Sequence, residues 1–593
     1  MRKLHLKIFF KIVGFRLFLM LIASVLVGFL DGLGLTMFLP LISLADNGNP
    51  SSSTNELGDL EFLVNWMERA GLSFDLVTIL LVICFFFLTK GFFKFLEAAY
   101  KVVVFQYFIR KLRLENIDLL SSLNYRAFVS MDAGRIQNTL SGEMARVSSA
   151  FGFFQSALQS ATMLTVYMFL AFLVNAQFAL LISLGGLLSN LIFRFIYKRT
   201  IELSRKITSV GHEYQGLLIQ AVSFFKYLVA TGQMSIYSLK LKDSVEDFVR
   251  NNKKVGFYNA VLLSVREPVV IIVVLGVILI QVKFMGQSLT PILLALLFFY
   301  RALNYVMNLQ TQWNGFLNSV GALENVKEFQ EYLSDNKSNY VDTEFDRIKG
   351  DILLKDISFS YGNNPLLRGV NLRIPHKETV AIVGESGSGK TTLVNVITGL
   401  LHPDQGMVMV NGKPLESLNL SSYQRRIGYI TQESIIFNDT IFNNVTFWAK
   451  KDQLSVSRFW ESAEQASIDD FIKGLDRAEE ALLGNNGINL SGGQKQRISI
   501  ARELYKDIDL LIMDEATSAL DSETEEAIKS NIDKLKGKYT IVMVAHRLST
   551  IKNADVVVLM ESGRVVDFGA YDVLLERSTR FRRMVQLQEL VTN

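Results

Sequence analysis

GESGSGKT, from Gly384 to Thr391, and LSGGQ, from Leu490 to Gln494, decide how this chain is read. The first string fits the pattern G-x-x-x-x-G-K-[ST], in which glycines let backbone N–H groups close around phosphate oxygens while a lysine supplies charge. It follows the strand-like run VAIVG, Val380 to Gly384, and leads into TTLVNVITGL, which starts a helix whose N-terminal dipole faces the phosphates. Gly384, Glu385, Ser386, Gly387, Ser388, Gly389, Lys390, Thr391 and Thr392 therefore form a candidate nucleotide site for ATP or GTP. Lys390 is placed to reach the β and γ phosphates, and the Thr391 hydroxyl to bind Mg²⁺. Further on, an apolar strand, Leu510 to Met513, ends in Asp514 and Glu515. That order lets one carboxylate hold the metal through water and the next act on the attacking water. Alone, such a pair is usually a solvated turn; after a phosphate loop it gains meaning.

Outside that half the composition changes. Hydrophobic residues make up 50% of the 593 residues and Phe numbers 43, which is too apolar for an ordinary soluble protein. The excess sits in residues 17–315, whereas 350–593 reads as alternating short strands and helices of an α/β domain. We expect a transmembrane domain over 1–330, a linker over 331–349 and a nucleotide-binding domain over 350–593. Six segments are long enough to cross hydrocarbon, which takes about 20 apolar residues. They are 17–45, 74–100, 148–175, 177–197, 256–285 and 289–315, with Asn175, Ala176 and Gln177 as a tight turn between the third and fourth.

Charge orients the set. Arg2, Lys3, Lys7, Lys11 and Arg16 precede the first span with no acid among them, so the positive-inside rule predicts a cytoplasmic N-terminus. The first loop carries Asp46, Glu56, Asp59, Glu61, Glu68 and Asp75 against Arg69, as suits the far side. With six spans the α/β domain returns to the cytoplasm, at the inner membrane. The net charge of +4 needs no nucleic acid, since basic residues near an anionic leaflet account for it. No cleavable signal peptide is expected, and the single cysteine, Cys84, excludes an intrachain disulfide.

Taken together, the phosphate loop, the Asp514–Glu515 pair and LSGGQ resemble the ATP-binding cassette (ABC) family, and their fusion to six spans resembles an exporter half-transporter. The resemblance implies a helical transmembrane domain plus an α/β P-loop domain with a helical subdomain. It also implies roles. Tyr361 in SFSYG matches the aromatic that stacks on adenine. Gln432 after GYIT matches the glutamine that touches Mg²⁺ and the water. Ser491, Gly492, Gly493 and Gln494 match the segment that closes over the partner subunit's nucleotide, Asp521 the loop linking two sites, and His546 the histidine on the γ phosphate. Catalysis would thus rest on Glu515, His546, Gln432 and Lys390, with ATP and Mg²⁺ as ligands and Thr391, Gln432 and Asp514 around the metal. One departure is that Gly484, Asn485, Asn486 and Gly487 lack the glutamate of the exporter GExG string. The family pattern sandwiches each ATP between two subunits, so a second half-transporter, an identical one in the simplest case, is the implied partner. The long connections 101–147 and 198–255 would carry coupling helices near Phe128 to Arg135 and Gln215 to Tyr227.

The cargo is written less directly. Ionisable groups inside spans mark pathways or buried pairs. Asp31, Lys90, Arg266, Glu267 and Arg301 are of this kind, and Lys90, Arg266 and Arg301 are the candidate substrate contacts. Arg301 stands on a segment with Tyr300, Asn304, Asn308, Gln310 and Gln312, a polar face suited to a cavity. FLDGLGLTMFLPLISLAD in the first span and SLNYRAFVSMDAGRIQNTLSGE in the first connection resemble bacterial lipid-linked oligosaccharide flippases. That resemblance implies an amphiphile with an anionic head, such as a polyprenyl diphosphate glycan. A membrane lipid, a peptide or a drug is the alternative, and an ATP-gated channel or regulator is a third class.

Overall fold

The structure is a computed structural model, and it describes residues 9–38, 41, 69, 71, 75–174, 176–284, 289–338, 341–362, 364–514, 530, 533–545 and 551–592. By its internal contacts the chain divides into two units: Met1–Leu123 with Ala127–Lys337, and Asn124–Arg126 with Ser338–Asn593.

The first unit is helical. Its helices are α1 (Phe15–Thr36), α2 (Leu76–Ser121), α3 (Tyr125–Ser130), α4 (Ala133–Asn138), α5 (Met144–Val174), α6 (Ala176–Ser223), α7 (Phe225–Ala230), α8 (Met234–Leu279), α9 (Leu289–Asn318) and α10 (Val320–Asp335). Each of the six expected spans falls on a long helix: α1, α2, α5, α6, α8 and α9. Among the described residues, Phe15–Thr36, Leu76–Ser121 and Ala133–Val174 are long and apolar enough to cross a membrane. α2 has 46 residues, about 69 Å at 1.5 Å per residue, so it far outruns a hydrocarbon core of about 30 Å. Pro268 lies inside α8, where neighbouring helices can satisfy the carbonyl it leaves without a donor.

Two expectations need adjusting. Ala176 and Gln177 are helical, and only Asn175 of the expected turn lies outside the described residues. The short helices within the connections are Tyr125–Ser130 and Ala133–Asn138, which the expected Phe128 to Arg135 straddles, and Phe225–Ala230, which begins ten residues later than expected. That later start arises because the run from Gln215 to Ser223 contains no proline and continues α6. The backbone turns only at Phe224, with φ −105° and ψ 20°.

Aromatic residues dominate this unit's core. Phe9, Phe108, Phe151, Phe154 and Phe316 are buried together, with the Phe108 and Phe151 rings stacked at 4.1 Å between centroids. Several polar groups in the membrane helices are paired. Lys90 of α2 forms an ion pair with Asp31 of α1, and Tyr167 of α5 donates to the same carboxylate. The Tyr167 ring stacks on Tyr305 of α9 at 5.4 Å. Glu97 accepts from Ser24 and, at 2.8 Å, from Gln159.

The second unit is α/β. Its strands are β1 (Ile352–Tyr361), β2 (Asn364–Ile374), β3 (Thr379–Gly384), β4 (Gln405–Val410), β5 (Lys413–Pro414), β6 (Ile427–Ile430), β7 (Leu510–Asp514), β8 (Thr540–Val544), β9 (Val556–Glu561) and β10 (Arg564–Gly569). Its helices are α11 (Lys390–Ile397), α12 (Leu420–Gln424), α13 (Ile441–Thr446), α14 (Gln453–Gln465), α15 (Asp469–Lys473), α16 (Gly492–Tyr505), α17 (Tyr571–Arg577) and α18 (Thr579–Thr592). One antiparallel sheet runs β2-β1-β4-β5; the other, in the order β10-β9-β3-β8-β7-β6, is parallel except for β10.

Strands covered on both faces read as unbroken apolar runs, and β3, β7 and β8 are of this kind. Period-two alternation sends Ala381, Val383, Leu511, Met513, Ile541 and Met543 into one core. Val380, Ile382, Leu510, Ile512, Val542 and Val544 enter the other. Each such side chain contributes about 1.5–3 kcal/mol on burial, which pins the register that aligns the strand ends.

Candidate functional site

Register brings the motif residues to one edge of the parallel sheet. Ile382 pairs with Val544, Val544 with Asp514, and Met513 with Ile430. The phosphate loop, Asp514, the residues after Val544 and Gln432 therefore all leave the sheet at the carboxyl ends of its strands, where open α/β sheets bind ligands.

The loop itself is shaped by glycine. Gly384, Gly387 and Gly389 have φ of 153°, 79° and 98°, which β-carbons disfavour. A Cβ at Gly384 would lie 2.2 Å from the Met560 carbonyl oxygen, so neighbouring backbone leaves no room for one. Lys390 is buried and its Nζ donates to the carbonyls of Gly384 and Glu385, at 2.9 Å each. The ammonium is thus folded over the loop, and the buried Ser388 hydroxyl has no hydrogen-bond partner among the described residues. An orphan hydroxyl beside a buried cation inside a nest of glycines is the donor set a chain of phosphates needs. Thr391 and Asp514 offer the hard oxygens that Mg²⁺ prefers.

Tyr361 closes β1 and meets Phe359 edge-on, with centroids 5.0 Å apart. Burial raises its hydroxyl pKa, so the ring is neutral and available for stacking. Removing the ring in Tyr361→Ala should weaken ATP binding about tenfold, a typical stacking loss, while Tyr361→Phe leaves it unchanged; titration with a fluorescent ATP analogue measures both. Gln432 is exposed just beyond β6. Burial, and to a lesser extent the Asp514 carboxylate, raise the Tyr429 hydroxyl pKa.

Ser491 caps α16. Its hydroxyl accepts from the Gln494 amide at 3.3 Å, while the Gln494 side chain accepts from the Ser491 amide at 2.9 Å, a reciprocal box. Ser491 and Gly492 are exposed and Gly493 is buried, so LSGGQ presents a capped helix end outward. Asn485–Gly487 form a single tight turn with Asn486 at φ 50°. Glu515, Asp521 and His546 lie outside the described residues, as does the side chain of Arg266.

Sequence reasoning missed Arg502. Its guanidinium is buried and donates to the carbonyls of Asn444 at 2.6 Å and Ile435 at 2.8 Å, and to Asn444 Oδ1 at 3.1 Å. It fastens α16, and with it LSGGQ, to α13 and to the segment after Gln432. An arginine three residues before a helix end carries no sign of this, because its acceptors are about 60 positions away.

Comparison with known proteins agrees with this geometry. The family model described as ABC transporter matches residues 367–518, and the ABC transporter transmembrane region matches 17–307. The chain is 30% identical to an ATP-dependent lipid A-core flippase of Hahella chejuensis over 85% of this chain and 86% of that one. It is also 30% identical to the heterocyst differentiation ATP-binding protein HepA of Nostoc sp., over 81% and 79%. A bacterial Atm1-family ABC exporter solved with ATP bound superposes with a TM-score of 0.79 at 22% identity, covering 97% of this chain and 98% of that one. With a phosphate loop, a capped LSGGQ helix and a helical membrane domain in one polypeptide, the chain belongs to the ABC transporters, as an exporter that hydrolyses ATP to drive transport.

Proposed function

We propose that two copies of this chain form a pump that moves an amphiphile with an anionic head across the inner membrane, with the N-terminus and the nucleotide-binding unit cytoplasmic. The relatives' names include lipid A-core flippase, which favours a lipid cargo over a peptide or drug. A lipid-linked oligosaccharide or related polyprenyl diphosphate fits the same chemistry.

One observation carries the choice of head group. Of the candidate cations in the spans, Lys90 is already neutralised by Asp31, whereas Arg301, half-buried on α9, has no ion-pair partner among the described residues. An unpaired guanidinium inside a bilayer is expensive and suits bidentate binding of phosphate or diphosphate. The same helix carries Asn308, which donates to Ser160 at 3.0 Å and accepts from Gln312 at 3.0 Å. Gln310 is buried, so it stands off the expected open polar face.

In the nucleotide unit, bound ATP with Mg²⁺ supplies binding energy and a hydrolysable phosphoryl bond. Lys390 and the loop amides would hold the phosphates, Thr391, Gln432 and Asp514 would hold the metal, and Tyr361 would stack on the base. Glu515 polarises the attacking water, and His546 holds the γ phosphate. Ser491, Gly492 and Gly493 close over the partner subunit's nucleotide. ATP thereby bridges only the closed dimer, which gives it the differential affinity that conformational cycling requires.

The test is flipping of phosphorylated lipids in reconstituted vesicles, alongside ATP turnover. Glu515→Gln should abolish both. Arg301→Ala should remove the stimulation of turnover by lipids with phosphorylated heads while basal turnover stays within about twofold, as loss of a cargo contact requires. Equal loss of basal and stimulated turnover would make Arg301 a folding residue and remove the argument for an anionic head.

A further inference from the structure

The sixth membrane helix does not run straight on. α9 ends at Asn318, and Ser319, with φ −105° and ψ 4°, separates it from α10. In an uninterrupted helix the Asn318 carbonyl would accept from the Ala322 amide. Here side chains from two other helices take it. Arg146 Nη2 of α5 donates to that oxygen at 3.1 Å, and Ser204 Oγ of α6 at 2.6 Å. Ser204 Oγ accepts in turn from the Gly321 amide at 3.0 Å, on the far side of the break. A Cβ at Gly321 would lie 2.7 Å from the Ser204 carbonyl oxygen, so α6 and α10 touch backbone to backbone.

The other half of the Arg146 guanidinium faces Glu143. Nη1 lies 3.1 and 3.2 Å from the two Glu143 oxygens and 2.7 Å from Thr208 Oγ1. Glu143 is 3% exposed and closes a π-helical turn, Thr139–Glu143. Thr139 in that turn accepts from Asn325 of α10 at 3.1 Å. Thus one guanidinium joins a π turn, the fourth long helix and a break in the sixth. π turns and side-chain insertions are known causes of local bending. A buried charge pair is weak evidence for stability, since its desolvation offsets its attraction, but it fixes geometry well.

We propose that Arg146 is a positioning residue for transport: bonded to the Asn318 carbonyl it keeps the sixth helix broken at Ser319, and letting go allows that carbonyl to take the Ala322 amide and join α9 to α10. The Asn318 carbonyl then has two alternative sets of donors, the Arg146 and Ser204 side chains together or the Ala322 amide, and the helix two discrete forms, so movement that withdraws α5 and α6 is passed to the sixth span. This inference rests on the ATP-driven export activity and is independent of the cargo.

The experiment uses the full chain in lipid nanodiscs, read by hydrogen exchange of the peptide covering 316–326, nucleotide-free and trapped with ATP and vanadate. In the parent chain, exchange at 320–323 should differ about tenfold between the two states, as two helix forms require. In Arg146→Gln the two states should exchange alike, and Arg146→Lys, which keeps a donor and the charge, should recover part of the difference. Basal turnover of Arg146→Gln should stay within about twofold while transport per ATP, measured in vesicles with a fluorescent phospholipid, falls about fivefold or more. An unchanged exchange difference in Arg146→Gln, none in the parent chain, or turnover and transport falling in proportion would each overturn the proposal.

Discussion

Lys390→Ala should lower ATP turnover by at least about 100-fold, the scale of losing one preorganised charge at a reacting phosphate. The reason is geometric as well as electrostatic. Lys390 is 6% exposed, and its ammonium is held by two loop carbonyls, so no water or neighbouring chain substitutes for it. Lys390→Arg keeps the charge but replaces a compact ammonium with a planar fork whose geometry does not match the two loop carbonyls the ammonium holds. It should recover less than about a tenth of the lost turnover. Phosphate release measured on reconstituted protein checks both variants, and turnover near the parental value in Lys390→Ala would remove the phosphate loop from the mechanism.

Arg502→Ala should be the most damaging change to stability. It leaves the carbonyls of Asn444 and Ile435 and the Asn444 side chain without their charged donor, and the cavity also strips Phe437 and Phe447 of a cation 5.3 and 5.5 Å from their rings. Hydrogen bonds to charged groups are worth about 1.5–3 kcal/mol each, and leaving buried acceptors unmade costs about as much again. We expect a loss of about 3 kcal/mol or more, a fall of roughly 6–12 °C in the unfolding transition of a domain this size. Burial lowers the Arg502 pKa from its usual value, and its normal range is so high that it remains charged at neutral pH. Differential scanning fluorimetry with and without ATP separates the two consequences. The transition falls in both conditions, and the upward shift ATP gives the parent chain shrinks, because LSGGQ at the start of α16 loses its anchor. Substituting lysine should restore the charge but not three simultaneous bonds, and so should recover less than half of the lost stability.

The phosphate loop, β3 and β7 were legible in the sequence because their signals are local: a fixed glycine spacing, and apolar runs that only a doubly covered strand explains. A helical membrane domain was legible because membrane length sets a threshold that composition reveals, and among the described residues three helices meet it. What the chain does not announce is pairing across long separations. Lys90 reads as a candidate substrate contact until Asp31, itself bonded by Tyr167, is seen to pair with it. Arg146 reads as one basic residue in a mixed-charge connection, although its partners include residues 58, 62 and 172 positions away. The short helix of the second connection begins ten residues later than expected because helix-forming sequence continues α6 past Gln215, whereas in the first connection the expected stretch straddles two short helices. Their limits are set by single backbone turns that leave no strong composition signal.

The Asp31–Lys90 pair also bears on how the polypeptide is made. Its carboxylate lies in the first span and its ammonium 59 residues later in the second. At a synthesis rate of about 5–20 residues per second, the ribosome delivers the counter-charge about 3–12 s after the acid. During that interval a lone carboxylate at mid-span would cost about 2.5–3.5 kcal/mol to leave in lipid. Entry of the two helices into the bilayer together, as a hairpin with its charges already matched, avoids that cost.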